Sequence, residues 1–155
     1  MTSQDVDIHW MREALVLAEH AAAKGESPIG AIIIDPATNQ LVASAHNQPI
    51  TDNDPSSHAE MLAIRRAGVV LGNYRLRPGL TLYVTLEPCT MCAGAISQAR
   101  IARLVYGAPD VKGGAVDNGV RFFEQSTCHW RSVVSGGLFA DESAAMLRAF
   151  FKARR

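Results

Sequence analysis

Two short clusters in this chain of 155 residues carry side chains that can do chemistry. The first is His58-Ala59-Glu60, which follows a polar loop and opens a stretch of helical periodicity. The second is Pro88-Cys89-Thr90-Met91-Cys92, which follows directly on a strand-like apolar run. Cysteines at i and i+3 in a first helical turn lie about 60° apart around the axis, so both sulfurs reach one ion. A helix N-terminus also favours the thiolate, the form that binds metal. With the His58 imidazole the donor set is two sulfurs and one nitrogen, which suits zinc. Three protein ligands leave the fourth tetrahedral position to water, the pattern of a catalytic rather than a structural site. Glu60 is then the candidate proton carrier beside that water. On a regular helix His58 and Glu60 sit about 200° apart. They flank one ion only if the helix starts at His58 and aims its end at the metal.

Each cluster alone is a weak signal, since Cys-x-x-Cys also serves redox chemistry or packing and His-x-Glu is commonly a solvated helix start. Together, each at the start of a helix, they read as a metal site. The third cysteine, Cys128, has His129 beside it. Adjacent side chains point apart, so Cys128 is read as a small buried apolar residue. The spacing of Cys89 and Cys92 fits metal binding rather than a disulfide framework. His46 is expected to be packed at a strand end, His9 and His20 to lie on the surface, and Trp10 and Trp130 to anchor a core or an interface.

The elements that must position these residues follow from periodicity and punctuation. A first helix is expected over 8–24, with Asp7 as N-cap, Gly25 as stop, and Ile8, Met11, Leu15, Ala18 and Ala22 on one face. Strands follow at 30–35 and 41–47, joined by a turn at 35–39. A Ser/Asp/Pro-rich loop at 51–57 leads into a helix over 58–71, which Gly72-Asn73 stops. The clearest strand is 80–86. A small-residue helix to about Arg100 and a strand at 102–106 come next. Residues 107–127 read as a loop with one short helix around 120–125. A last strand at 131–135 precedes a terminal helix that starts near Asp141 and runs to 153. Strands alternating with helices imply parallel pairing in the middle of a sheet covered on its faces, an α/β architecture in one domain, 1–155.

Composition excludes several classes. Hydrophobic residues are 48% and charged residues 19% of the chain, which is a globular and not a disordered balance. No apolar run approaches the ~20 residues of a membrane span. Residues 1–7 carry two acids and no cation, the wrong charge for a targeting signal, and a cytoplasmic protein is the expectation. The net charge of zero hides an asymmetry: residues 1–60 hold two cations and nine acids, whereas 61–155 hold thirteen cations and six acids. That total argues against a generic nucleic-acid binder but leaves a basic patch open to the C-terminal half.

From Glu26 onward the chain resembles the bacterial tRNA-specific adenosine deaminases, within the cytidine deaminase-like fold. Its His-x-Glu and Pro-Cys-x-x-Cys motifs form the signature of zinc-dependent base deaminases. The resemblance is carried by Glu26-Ser27-Pro28-Ile29-Gly30-Ala31, Asn47-Gln48-Pro49-Ile50, Asp54-Pro55-Ser56-Ser57-His58-Ala59-Glu60 and the run from Leu82 through Pro88-Cys89-Thr90-Met91-Cys92 to Ala95. Tyr106-Gly107-Ala108-Pro109-Asp110-Val111-Lys112 belongs to it as well. Asn73-Tyr74-Arg75-Leu76 and the tail from Ala140 to Phe150-Phe151-Lys152-Ala153-Arg154-Arg155 are the parts more specific to the tRNA enzymes.

This resemblance implies a three-layer α-β-α fold of about five strands and one zinc ion per chain, held by His58, Cys89 and Cys92. It implies hydrolytic conversion of adenosine to inosine at the wobble position of a tRNA anticodon stem-loop, with Glu60 moving protons. Asn47 would contact the base, with an amide able both to donate and to accept. Ile29 and the backbone amides of Ala59 and Cys89 would help orient base or water. Asp110, Lys112, Phe150, Phe151, Arg154 and Arg155 would face the RNA, and the protein would act as a homodimer. Two other readings use the same residues. One is a zinc deaminase of free nucleobases or nucleosides, of the guanine, cytosine or adenine type. The other is a non-catalytic zinc-stabilised RNA-binding protein, which requires a fourth protein ligand such as His46 or Cys128.

Overall fold

A computed structural model describes residues 1–154 of the chain. The expectation for Arg155 lies outside the described residues. Five strands, β1 (Gly30–Asp35), β2 (Gln40–His46), β3 (Thr81–Leu86), β4 (Arg103–Ala108) and β5 (Val133–Gly136), form one sheet in the order β2-β1-β3-β4-β5. β1 pairs antiparallel with both β2 and β3, while β3–β4 and β4–β5 are parallel. The parallel pairing expected for the middle of the sheet is therefore present. The helices are α1 (Ser3–Ala23), α2 (Pro49–Asp52), α3 (Ala59–Leu71), α4 (Thr90–Gln98) and α5 (Ala140–Lys152).

Alternation along β1 divides the core into two layers, because successive side chains of a strand point to opposite faces. Ala31 and Ile33 pack with Ala59, Ala63 and Ala67 of α3 and with Ala93 and Ile96 of α4. Ile32 and Ile34 pack on the other face with Met11 and Ala14 of α1. Gly30 lets α1 come this close, since a Cβ there would stand 2.1 Å from the Ala14 carbonyl oxygen. The result is the three-layer α-β-α arrangement.

Some local expectations are corrected. α1 begins at Ser3 and not after Asp7: Thr2 is the N-cap, and a reciprocal capping box with Asp5 satisfies the first amides. Asp7 instead accepts two hydrogen bonds from Arg103 at 2.7 Å each and one from the Tyr83 hydroxyl at 2.7 Å, tying α1 to the sheet. The polar loop before His58 contains the short helix α2, and the terminal helix starts one residue before Asp141, after Phe139 in a left-handed conformation (φ 56°). The short helix of the 107–127 segment is a single 3-10 turn, Phe122–Glu124.

Candidate metal centre and active site

β2 and β3 run in the same direction, so their C-terminal ends lie along one edge of the sheet. α3 follows the first and α4 the second, both on the same face, so their N-termini meet there. His58 is the N-cap of α3 and Cys89 the N-cap of α4, each in extended backbone (ψ 152° and 177°). Cap side chains project from the end of the helix rather than around its barrel. This resolves the angular conflict between His58 and Glu60, because the end of α3 does point at the site.

The His58 Nδ1 lies 3.6 Å from the Cys89 sulfur and 3.5 Å from that of Cys92. One donor atom from each of the three residues lies within 4.8 Å of the others, the only such cluster of His, Cys, Asp and Glu among the described residues. Neither proposed fourth ligand is near. The Cys128 thiol donates to the Trp130 carbonyl at 3.1 Å, and His46 is held between the Asn47 carbonyl (3.0 Å) and Lys24 Nζ (3.5 Å). The electrostatics also ask for a cation. A hydrogen bond from the Cys92 thiol pulls Cys89 down to about 4 against the effect of burial, with His58 adding to the fall. That same bond, burial and the Glu60 charge push Cys92 well up. Two sulfurs and a carboxylate share a pocket in which only one thiol ionises unaided. A divalent ion that displaces the protons of His58 and Cys92 relieves this. The donor chemistry therefore fits zinc.

Glu60 is 4% exposed, in the first turn of α3. Burial pushes its carboxyl up to about 7, opposed by a hydrogen bond from its own amide and reinforced by Cys89. A group poised there takes and returns protons near neutral pH. Asn47 reaches the same place from the end of β2: its Oδ1 accepts from the Ala59 amide at 2.8 Å. The Ala59 N–H is thereby engaged by Asn47, whose amide keeps its N–H₂ donors and one oxygen lone pair.

Two cavities lie along this edge of the sheet, one beside Asn47 after β2 and one beside Leu86 at the end of β3. One of about 310 Å³ is lined by Glu26, Asn47, Ile50, Phe150, Phe151 and Arg154 among others. Another of about 670 Å³ is lined by Asp110, Lys112, Leu147, Arg148, Phe151 and Lys152 among others. Phe151 is 47% exposed and lines both cavities, whereas Phe150 at 9% belongs to the core. The Arg154 guanidinium stacks on the Phe150 ring at 3.6 Å. Ile29 is partly buried and packs against the core cluster that includes Ala59 and Ala63 of α3.

Two buried carboxylates that hold the walls escape a reading of the sequence. Glu87, 2% exposed, accepts from the amides of Asp110, Val116, Asp117 and Asn118 and from the Asn118 side chain, all within 3.0 Å. Glu26 accepts from the Ile50 amide and from the Thr51 amide and hydroxyl. The available signal is an acid set against buried apolar runs, in the first case followed downstream by Gly113-Gly114. A Cβ on Gly114 would stand 2.5 Å from the Glu87 carboxyl carbon.

Known proteins agree with this geometry. The family model for the cytidine and deoxycytidylate deaminase zinc-binding region matches residues 4–108. A tRNA-specific adenosine deaminase of Agrobacterium fabrum is 52% identical over 147 residues, covering 95% of this chain and 95% of that protein. A structure from work on A-to-I editing by tRNA:A34 deaminases at the wobble position superposes with a TM-score of 0.86 at 52% identity, covering 90% of this chain and 99% of that one. A guanine deaminase from Nitrosomonas europaea, 23% identical with a TM-score of 0.78 over 90% of this chain and 81% of that one, shares the fold alone. The chain thus belongs to the zinc-binding cytidine and deoxycytidylate deaminase family, among its tRNA-specific adenosine deaminases.

Proposed function

We propose that the protein is a zinc-dependent hydrolase that converts adenosine to inosine at the wobble position of a tRNA anticodon stem-loop, working in the cytoplasm as one domain. The observation that carries this reading is the buried carboxyl of Glu60 beside three soft-to-borderline donors at two converging helix ends. His58, Cys89 and Cys92 would hold the zinc, which when bound polarises water so that it loses a proton near neutral pH. Glu60 accepts that proton and delivers it to N1 of the adenine. As N1 gains the proton, the water oxygen bonds to C6. Glu60 then takes the proton of the new C6 hydroxyl and passes it to the exocyclic amine, so that the C6–N bond breaks, ammonia departs and inosine remains. Asn47, fixed through its Oδ1, donates to the base from the cleft side. Asp110, Lys112 and the exposed Phe151 would bound the space for flanking nucleotides. A loop base is already unpaired, so presenting it costs little unstacking.

A homodimer is proposed as the working form, supported by Val69 and Val70 of α3, which are left exposed on one surface. The test is incubation with a transcript of a tRNA carrying adenosine at the wobble position, with the same transcript carrying guanosine there, and with free guanine, cytosine and adenine. Inosine in the first RNA, with no ammonia from the free bases, is the expected result. Ammonia from a free base without inosine in RNA would overturn the reading.

A further inference from the structure

Arg75, Arg77 and Arg100 gather at the far end of α4. Cys89 caps the start of this helix and Ala99 its end, ten residues apart, or about 15 Å at 1.5 Å per residue. The next residue, Arg100, adopts φ 67°, a left-handed backbone that glycine or asparagine normally supplies at this position. Its guanidinium lies 5.5 Å from the ring centre of Trp130, and the Trp130 Nε1 donates to the Ile101 carbonyl at 2.8 Å. The segment after α3 folds against it, with the Leu76 amide donating to the Ala99 carbonyl at 3.1 Å.

Between them lies a cavity of about 510 Å³ lined by Asn73, Arg75, Arg77, Pro78, Arg100 and Trp130, with Leu76 at its floor. Arg77 is paired with Asp35 at 3.0 Å. Neither Arg75 nor Arg100 has an ion-pair partner among the described residues. The zinc chemistry uses none of these groups, and the Asn73-Tyr74-Arg75-Leu76 segment has no other task in the site. Planar guanidiniums converging on a concave, aromatic-walled space match phosphate oxygens better than they match a carboxylate-poor protein surface.

We propose that this cavity binds backbone phosphates in the stem of the tRNA anticodon arm while the loop occupies the zinc centre. The proposal rests on the tRNA reading above. At roughly 3.4 Å per phosphate along one strand, 15 Å spans about four phosphates. The reacting base and a stem phosphate are therefore within simultaneous reach of the two ends of α4.

The test compares full-length tRNA with a hairpin cut to the anticodon loop and a single closing base pair, without terminal phosphates, so that it lacks the stem phosphates about four residues from the wobble base. The variant is Arg75→Ala with Arg100→Gly, a pair that removes both charges and leaves glycine where the backbone is left-handed. Its KM for full-length tRNA is expected to rise at least about threefold, and its log K against log salt slope to become shallower by about 0.7–0.9 for each phosphate no longer neutralised. Zinc content, kcat, and KM for the trimmed hairpin should stay as in the unaltered protein. Arg75→Lys with Arg100→Lys should restore most of the salt slope. If the double variant does not fold, Arg75→Glu, on an exposed side chain, gives the same comparison. An unchanged KM for tRNA, an equal rise on both RNAs, or a loss of dimer in sedimentation velocity would each overturn the proposal. Unaltered protein that makes inosine in neither RNA would overturn the substrate reading, and this proposal with it. Activity on both RNAs with no effect of the variants overturns this proposal alone.

Discussion

His58, Cys89, Cys92 and Glu60 are legible in the sequence because their chemistry is local: type and spacing alone bring the donors to helix starts. Replacing Cys92 by Ala should lose the zinc and lower thermal stability, since metal-binding free energy is folding free energy at such a site. Replacing Glu60 by Ala should leave metal content intact in elemental analysis while turnover falls at least ~10²-fold. If zinc leaves with activity, Glu60 is a ligand and the proton-transfer assignment is wrong. Asn47 is legible in the sequence as a candidate site residue, but the way its amide is held is not. Only the structure shows the Ala59 N–H occupying Oδ1 at 2.8 Å. Asn47→Asp keeps an acceptor for that amide but removes the donor, so zinc should remain and kcat/KM should fall by about fivefold or more, the worth of about 1 kcal/mol. An unchanged kcat/KM would mean the amide does not meet the substrate.

At the scale of elements, the strands and the two site helices are readable because their periodicity is regular and their ends are marked by Gly, Pro or a cap. What escapes is held together across the chain. No pattern near residue 7 reveals that Asp7 meets Arg103 and Tyr83, and no local rule reveals that Glu87 gathers the 110–118 segment. Both can be tested. Glu87→Gln replaces an acceptor-only carboxylate by an amide whose N–H₂ meets amide donors, which should cost about 1–3 kcal/mol. Hydrogen exchange at Asp110 and at residues 116–118 should accelerate, and KM for RNA should rise more than kcat falls, because the segment carries Lys112 beside the cavity. Uniform acceleration across the chain would instead mean general destabilisation. For Asp7, burial alone would raise the carboxyl, but Arg103 and Tyr83 prevail and hold it below its ordinary 3.8. A depressed carboxyl contributes stability above its unfolded value and loses it as pH falls through the folded value. The stability difference between the unaltered protein and Asp7→Asn should therefore be constant near neutrality, at about 1–2 kcal/mol. It should shrink below pH 3.8, as read by denaturant unfolding at several pH values.

Across the whole molecule, the zero net charge stops arguing against RNA once the charges have places. Asp7, Glu26, Glu60 and Glu87 are drawn inward, bonded to Arg103, to backbone amides or into the site. Lys112, Arg148, Lys152 and Arg154 stay exposed around the two cavities. A neutral total thus presents a locally basic mouth, an arrangement that a sum over the sequence cannot show. The tail is the part of that mouth most open to test. Phe150 is already in the core, and Arg154 leans on its ring at 3.6 Å, so part of the tail is structural. Phe151 and Lys152 face outward, where an unpaired base can stack on the ring for roughly 1–3 kcal/mol and a phosphate can meet the ammonium. Deleting residues 152–155 spares every strand and the zinc ligands. Zinc content should not change, whereas KM for tRNA should rise and the slope of log K against log salt should flatten by up to ~0.7 for each phosphate that the tail no longer meets. A deletion that lowers thermal stability yet leaves KM and the salt slope where they were would make the tail a clasp on the core and assign RNA binding at the mouth to Lys112 and Arg148.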